Sequence, residues 1–178
     1  MALVTEDGSG KPDAESYCDV TTADAYHTAR GNSAWTALDD ATKEQYLRRA
    51  TDYMTAFRGR WAGFKKTTSQ ALDWPRFNVP VKEAVYGYGE HLAYGVAYWP
   101  DNEVPDGVVR ACAELALRVA NGVDLLPDTE AQVSREVIGP VQVEYEQGAP
   151  QVPRFYAAEQ LLSPFFGGTP NAMKVGRA

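Results

Sequence analysis

Apolar positions recur at helical spacing in two long stretches of the chain. Tyr46, Leu47, Ala50, Tyr53, Met54, Phe57 and Trp61 follow one helix face and predict an amphipathic helix from about Ala41 to Arg58. Val108, Cys112, Leu115 and Val119, flanked by Val109 and Ala116, form a second stripe that ends at Asn121-Gly122. Pro105 fits as the first residue of that helix, where its missing N–H costs nothing. Shorter helical pieces come from Ala23–Arg30 behind a Thr21/Thr22 cap, a turn capped by Ser33 through Trp35 and Leu38, and Arg154–Leu162 with Phe155, Ala158, Leu161 and Leu162 on one side. One region alternates as a sheet does: Val133, Arg135 and Val137, then Val141, Val143 and Tyr145, which predicts a β-hairpin at about 133–146.

Between these elements the pattern breaks in informative ways. The first 20 residues read as an irregular or short extended lead, with turn material at Asp7–Pro12. Gln70-Ala71-Leu72-Asp73-Trp74-Pro75-Arg76 stops a helical stretch abruptly, because Pro75 fixes its own φ and biases Trp74 toward extended backbone. Trp74 is expected to anchor a core or a subunit contact. Arg76 is expected to stack on it or to fork onto a carboxylate. Residues 77–104 have no clean period and hold Tyr86, Tyr88, Tyr94 and Trp99 among glycines. Either this excursion folds its aromatics back onto the body, or it projects them to a partner. Residues 167–178 carry too little apolar surface to bury themselves and read as a flexible tail. The fold expected is mainly α: a small helical bundle over residues 1–166 with one β-hairpin, followed by an extended C-terminal tail.

Composition narrows the function classes. An apolar fraction of 44% suits a packed core, and no apolar run reaches the roughly 18 residues of a membrane span. The N-terminus lacks a basic and apolar leader, so synthesis in a cytoplasm is expected. Cys18 and Cys112 match no metal spacing and read as reduced, small hydrophobes. A net charge of −7 argues against affinity for nucleic acid, which requires gathered Lys and Arg; Arg58, Arg60, Lys65 and Lys66 form the one basic patch, read as surface charge.

Candidate chemistry is sparse. Gly87-Tyr88-Gly89 lacks the Lys-Ser/Thr pair and following helix of a phosphate loop. Glu90-His91 is a lone pair in an aromatic stretch, and His27 has no second ligand at metal spacing. Asp39-Asp40 reads as a helix cap and Asp101-Asn102-Glu103 as a polar turn. Neither catalytic residues nor a cofactor nor a metal is expected.

Six blocks taken in order carry a resemblance: Glu6-Asp7-Gly8-Ser9-Gly10; Ala23-Asp24-Ala25-Tyr26-His27 with Arg30-Gly31-Asn32; Arg49-Ala50-Thr51-Asp52-Tyr53; Gln70 to Arg76; Cys112 to Leu117; and Val137 to Tyr145. Over residues 1–166 the chain resembles the head–tail connector (adaptor) proteins of tailed bacteriophages, a family also labelled DnaT-like single-stranded DNA-binding proteins. The resemblance implies a structural protein of the virion, made in the host cytoplasm. It would assemble as a homo-oligomeric ring, commonly of twelve, between the portal protein and a stopper or tail completion protein, with genomic DNA passing through and no membrane involved. It also implies portal contact by the C-terminal end, here Phe165, Phe166, Met173, Lys174, Val175 and Arg177. Trp74, Arg76, Tyr86, Tyr88, Tyr94 and Trp99 are the candidates for subunit or partner contact. Twelve copies at −7 would carry roughly −84 charges, a bore that repels phosphates and so favours passage. The alternative is a single-stranded DNA-binding or replication accessory protein that stacks bases on its aromatics.

Overall fold

The computed structural model describes residues 2–82, 97–128, 135–138, 141–144 and 153–167. Its helices are α1 (Val20–Thr28), α2 (Ser33–Thr36), α3 (Asp40–Met54), α4 (Asp106–Ala120) and α5 (Tyr156–Leu162); 3₁₀ turns at Thr55–Phe57 and Ser163–Phe165 extend α3 and α5. Two antiparallel pairs accompany them. β1 (Phe64–Lys65) pairs with β2 (Arg76–Phe77), and β3 (Arg135–Ile138) pairs with β4 (Val141–Glu144) in the register Arg135↔Glu144 to Ile138↔Val141. The mainly helical fold with a β-hairpin in the expected place is therefore present. The β1–β2 pair is additional, because two-residue strands leave no period in a sequence.

Helix starts follow side-chain chemistry more than the apolar pattern. Asp19, not Thr21 or Thr22, caps α1: its carboxylate accepts from Thr22 N–H at 2.7 Å. Asp39 caps α3 in the same way through Thr42 N–H at 2.8 Å. A carboxylate on the residue immediately before the first turn satisfies donors that the helix leaves open and faces the positive end of its dipole. Pro105 occupies the cap position of α4, one residue before its first turn.

α4 sits at the centre, packed against α1, α2, α3 and α5. That surround explains why its buried positions exceed a stripe and include Ala111, Ala113 and Leu117 beside the expected Val108, Cys112, Leu115 and Val119. Leu47, Ala50 and Met54 of α3 and Leu162 of α5 complete this core. The polar face of α3 is less solvated than its charges suggest. Lys43 is buried, and its ammonium meets Asp24 at 3.0 Å while Asp24 also accepts from the Trp35 indole N–H at 2.7 Å, tying α1, α2 and α3 together.

The N-terminal lead is ordered around one buried carboxylate. Glu6 accepts from the N–H groups of Gly8 (2.9 Å), Gly10 (2.9 Å) and Lys11 (2.8 Å), closing the loop on itself. Gly8 has φ +96°, and a Cβ there would run into the Asn102 carbonyl, so this turn needs glycine. These contacts give the Glu6–Gly10 block a structural meaning.

Candidate functional site

Residues 58–77 leave the end of α3, run out along β1 and return along β2. Gln70 holds the loop between the strands: its amide donates to the carbonyls of Leu72 and Pro75, both at 3.0 Å, and its oxygen accepts from Thr67 N–H at 2.8 Å. The Trp74–Pro75 peptide is cis. Trp74 has no exposed surface and meets Trp61 and Phe165 edge to face, with centroids 5.9 and 5.5 Å away. The Nε1 atoms of Trp61, Trp74 and Trp99 find no acceptor among the described residues.

Arg76 does something the sequence does not announce. Its Nε donates to the Ala62 carbonyl (2.7 Å), Nη1 to that of Asp73 (3.1 Å) and Nη2 to that of Gly63 (2.7 Å). The expected stacking on Trp74 or fork onto a carboxylate is absent. A planar five-donor fork fits three carbonyls of a turning chain, and burial pushes its affinity for the proton down without neutralising it. The nearby Asp73 carboxylate is taken by Arg58 (3.0 Å) and approached by Lys65 (3.7 Å), while Asp73 N–H donates to the Tyr17 hydroxyl at 2.9 Å. Burial, reinforced by that carboxylate, raises the Tyr17 pKa and keeps the phenol protonated. Gly63, at φ +63°, faces the Phe77 carbonyl so closely that no side chain fits.

This scaffold presents two aromatic rings to solvent. Phe64 and Phe77 are register partners, their centroids are 5.6 Å apart, and they remain 63% and 37% exposed. The cations of the same segment are directed elsewhere: Lys65, the register partner of Arg76, lies on the opposite face of the ribbon and with Arg58 approaches Asp73, and Arg60 approaches Glu159. Arg58, Arg60, Lys65, Lys66 and Arg76 against the single acid Asp73 give residues 58–76 a net charge of +4, so the rest of the chain carries −11 of the whole chain's −7. Arg60 also lies over the ring of Phe166, 4.1 Å from its centroid, and Lys66 reaches the Gly8 carbonyl at 3.3 Å.

The sequence-derived site residues fall into four groups. Trp74 and Arg76 come together here as an internal joint. Trp99 packs half-buried on Phe165 at 5.0 Å, and its backbone N–H donates to the Val79 carbonyl. Phe165 and Phe166, grouped with the tail as portal contacts, are buried at 3% and 7%. The chain after α5 is zipped onto the chain after α3: Ala62 N–H donates to the Phe165 carbonyl and Gly167 N–H to that of Arg60, and the two rings fill the space between Phe57, Trp61 and Trp74. Tyr86, Tyr88, Tyr94, Glu90-His91, Met173, Lys174, Val175 and Arg177 lie outside the described residues. Sequence reasoning missed Phe64, whose signal was a large apolar residue beside Lys65-Lys66 and off any helical period.

Among the described residues no group of three or more His, Cys, Asp or Glu is placed to hold a metal ion, and no helix is long and apolar enough to cross a membrane. His27 is buried, with Nε2 3.2 Å from the Ala113 carbonyl and Nδ1 3.0 Å from the Asn32 amide; it links α1 to α4. Both cysteines are free and buried, and burial pushes both thiols up.

Fold and site together define a small helical-bundle protein that presents an exposed aromatic pair on a stiffly held ribbon. The family model described as "Putative DnaT-like ssDNA binding protein" matches residues 1–178, and the chain belongs to that family. No curated protein and no solved structure matches the chain.

Proposed function

We propose that the chain is a structural head–tail adaptor of a tailed bacteriophage: a ring-forming subunit, without catalysis, that bridges portal and tail and lets genomic DNA through. The supporting observation is the separation of charge. Each described Lys and Arg side chain is engaged by its own chain, through carboxylates (Asp73 for Arg58, Glu159 for Arg154) or carbonyls (Gly8 for Lys66, Ser163 for Lys82), and the body outside the corner is strongly acidic. A body of that sign repels phosphates, which suits passage better than retention. The order of the six sequence blocks supports the same reading. Incubating the full chain with portal-bearing heads tests it. Attachment is expected, with loss when the chain is cut after Gly168; absence of attachment by the full chain would overturn the adaptor reading, and unchanged attachment of the shortened chain would overturn the role of the tail.

A second reading, single-stranded DNA binding, is favoured by the family description and by the exposed Phe64–Phe77 pair, rings of the kind on which bases stack. It predicts a gel shift of a single-stranded oligonucleotide at low salt that weakens steeply as salt rises. No shift is expected on the adaptor reading.

A further inference from the structure

We propose that Asn121-Gly122 is a latent modification site: the closed end of α4 holds it silent, and opening of that end lets the Asn121 amide convert to an acid. This chemistry does not depend on whether the chain meets a portal or a nucleic acid.

The reaction needs only the chain and water. The Gly122 backbone nitrogen attacks Asn121 Cγ; an N–Cγ bond forms, the Cγ–Nδ2 bond breaks, and ammonia leaves with the proton that Gly122 gives up. Water then opens the cyclic imide at either carbonyl. Cleavage at Cγ leaves aspartate, and cleavage at the Asn121 backbone carbonyl leaves isoaspartate, in which the peptide runs through the side chain. The chain has five asparagines, and Asn121 is the one followed by glycine. Glycine sets no side chain beside the attacking nitrogen and lets the backbone turn freely. Both residues are exposed, and a Cβ at Gly122 would meet nothing among the described residues.

The folded geometry withholds the attack in two ways. First, Gly122 closes α4 at φ +79°: its N–H donates to the Val119 carbonyl at 2.9 Å, and Val123 N–H donates to that of Arg118 at 3.0 Å. This is the paired bonding of a Schellman helix end, and it fixes the nitrogen that has to attack. Second, Asn121 has ψ 11°. At that angle its own backbone nitrogen nearly eclipses the Gly122 nitrogen, so Cβ, another branch of the same tetrahedral carbon, is turned well away. Ring closure needs Cβ in that eclipsed place. The side chain reaches the Gly122 nitrogen only after ψ swings and both closing bonds break.

Conversion then works against reclosure. Either product puts a carboxylate at the negative end of the α4 dipole. Isoaspartate also adds a carbon to the backbone between the helix end and Leu125, which is buried at 4%.

The test holds the purified full chain at one neutral pH, folded in buffer and unfolded in guanidinium chloride, and follows ammonia release and peptide masses over time. In the unfolded chain the peptide with Asn121 is expected to gain the mass of an amide-to-acid exchange ahead of those with Asn32, Asn78, Asn102 and Asn171. Its rate should exceed that in the folded chain by about tenfold or more. Asn121→Gln should remove the signal, and Asn121→Asp should melt below wild type. Equal rates in the folded and unfolded chain would overturn the gating by α4. A faster asparagine elsewhere in the unfolded chain would overturn the assignment to Asn121, and an Asn121→Asp chain that melts as wild type does would overturn the cost given to the product.

Discussion

Trp74 and Arg76 act at the corner by different physics. Trp74 contributes volume and edge-on ring contacts, and Trp74→Ala is expected to lower stability by about 3–5 kcal/mol in urea unfolding, the usual range for emptying a buried aromatic site. Arg76 contributes geometry. In Arg76→Lys one compact ammonium replaces a planar fork whose three nitrogens reach the separate Ala62, Asp73 and Gly63 carbonyls, so the geometry that serves all three at once is lost, and the melting temperature should fall while the charge is conserved. A melting temperature equal to wild type would refute the role given to the fork. His27 sets a pH limit. Burial lowers its folded-state pKa below the ordinary 6.5, so the unfolded chain takes up the proton first as pH falls. The neutral ring's contribution is fully present above about 6.5 and is lost as pH drops toward the depressed value. Thermal melting recorded between neutral and mildly acid pH should therefore decline in wild type, and more shallowly in His27→Gln. The role of Trp74 as an anchor was legible because a Trp before Pro at the end of a helical stretch has few conformations open to it. The partners of Arg76 were not, since carbonyls belong to every residue and carry no sequence signal.

At the scale of elements, the long helices were readable from their apolar periods and the α3 cap from Asp39-Asp40, whereas the cap of α1 was expected at Thr21/Thr22 and lies at Asp19. α1 and α3 begin where Asp19 and Asp39 accept the first free N–H groups, and hydrogen bonds from Thr42 N–H and hydroxyl hold the Asp39 carboxyl below the usual carboxylate range. Its capping contribution is present above the ordinary value of 3.8 and fades as pH falls through the lowered one, so Asp39→Ala should reduce the melting temperature at neutral pH and lose that difference in strong acid. The segment after α5 shows why short aromatic runs mislead. Ser163-Pro164-Phe165-Phe166-Gly167 stands next to glycines and looks like the start of a tail, yet backbone pairing of Ala62 with Phe165 and of Gly167 with Arg60 draws both rings into the core. Long-range pairing of this kind depends on a partner about 100 residues earlier in the chain. No local pattern could reveal it.

For the whole molecule, the governing quantity is where charge sits rather than how much there is. The total of −7 and its division into +4 over residues 58–76 and −11 over the rest were both visible in the sequence; what β1 and β2 add is the pairing of Phe64 with Phe77 on one face and of Lys65 with Arg76 on the other. An acidic balance of this size repels phosphates, which is the sign that the proposed adaptor role calls for. In the adaptor role proposed above, copies of the chain would form a ring that joins a portal to a tail. Negative-stain imaging of the full chain mixed with the purified portal protein encoded by the same genome tests it most directly. The account predicts a closed ring stacked coaxially on the portal; portals that stay bare at a saturating excess of the chain would contradict it.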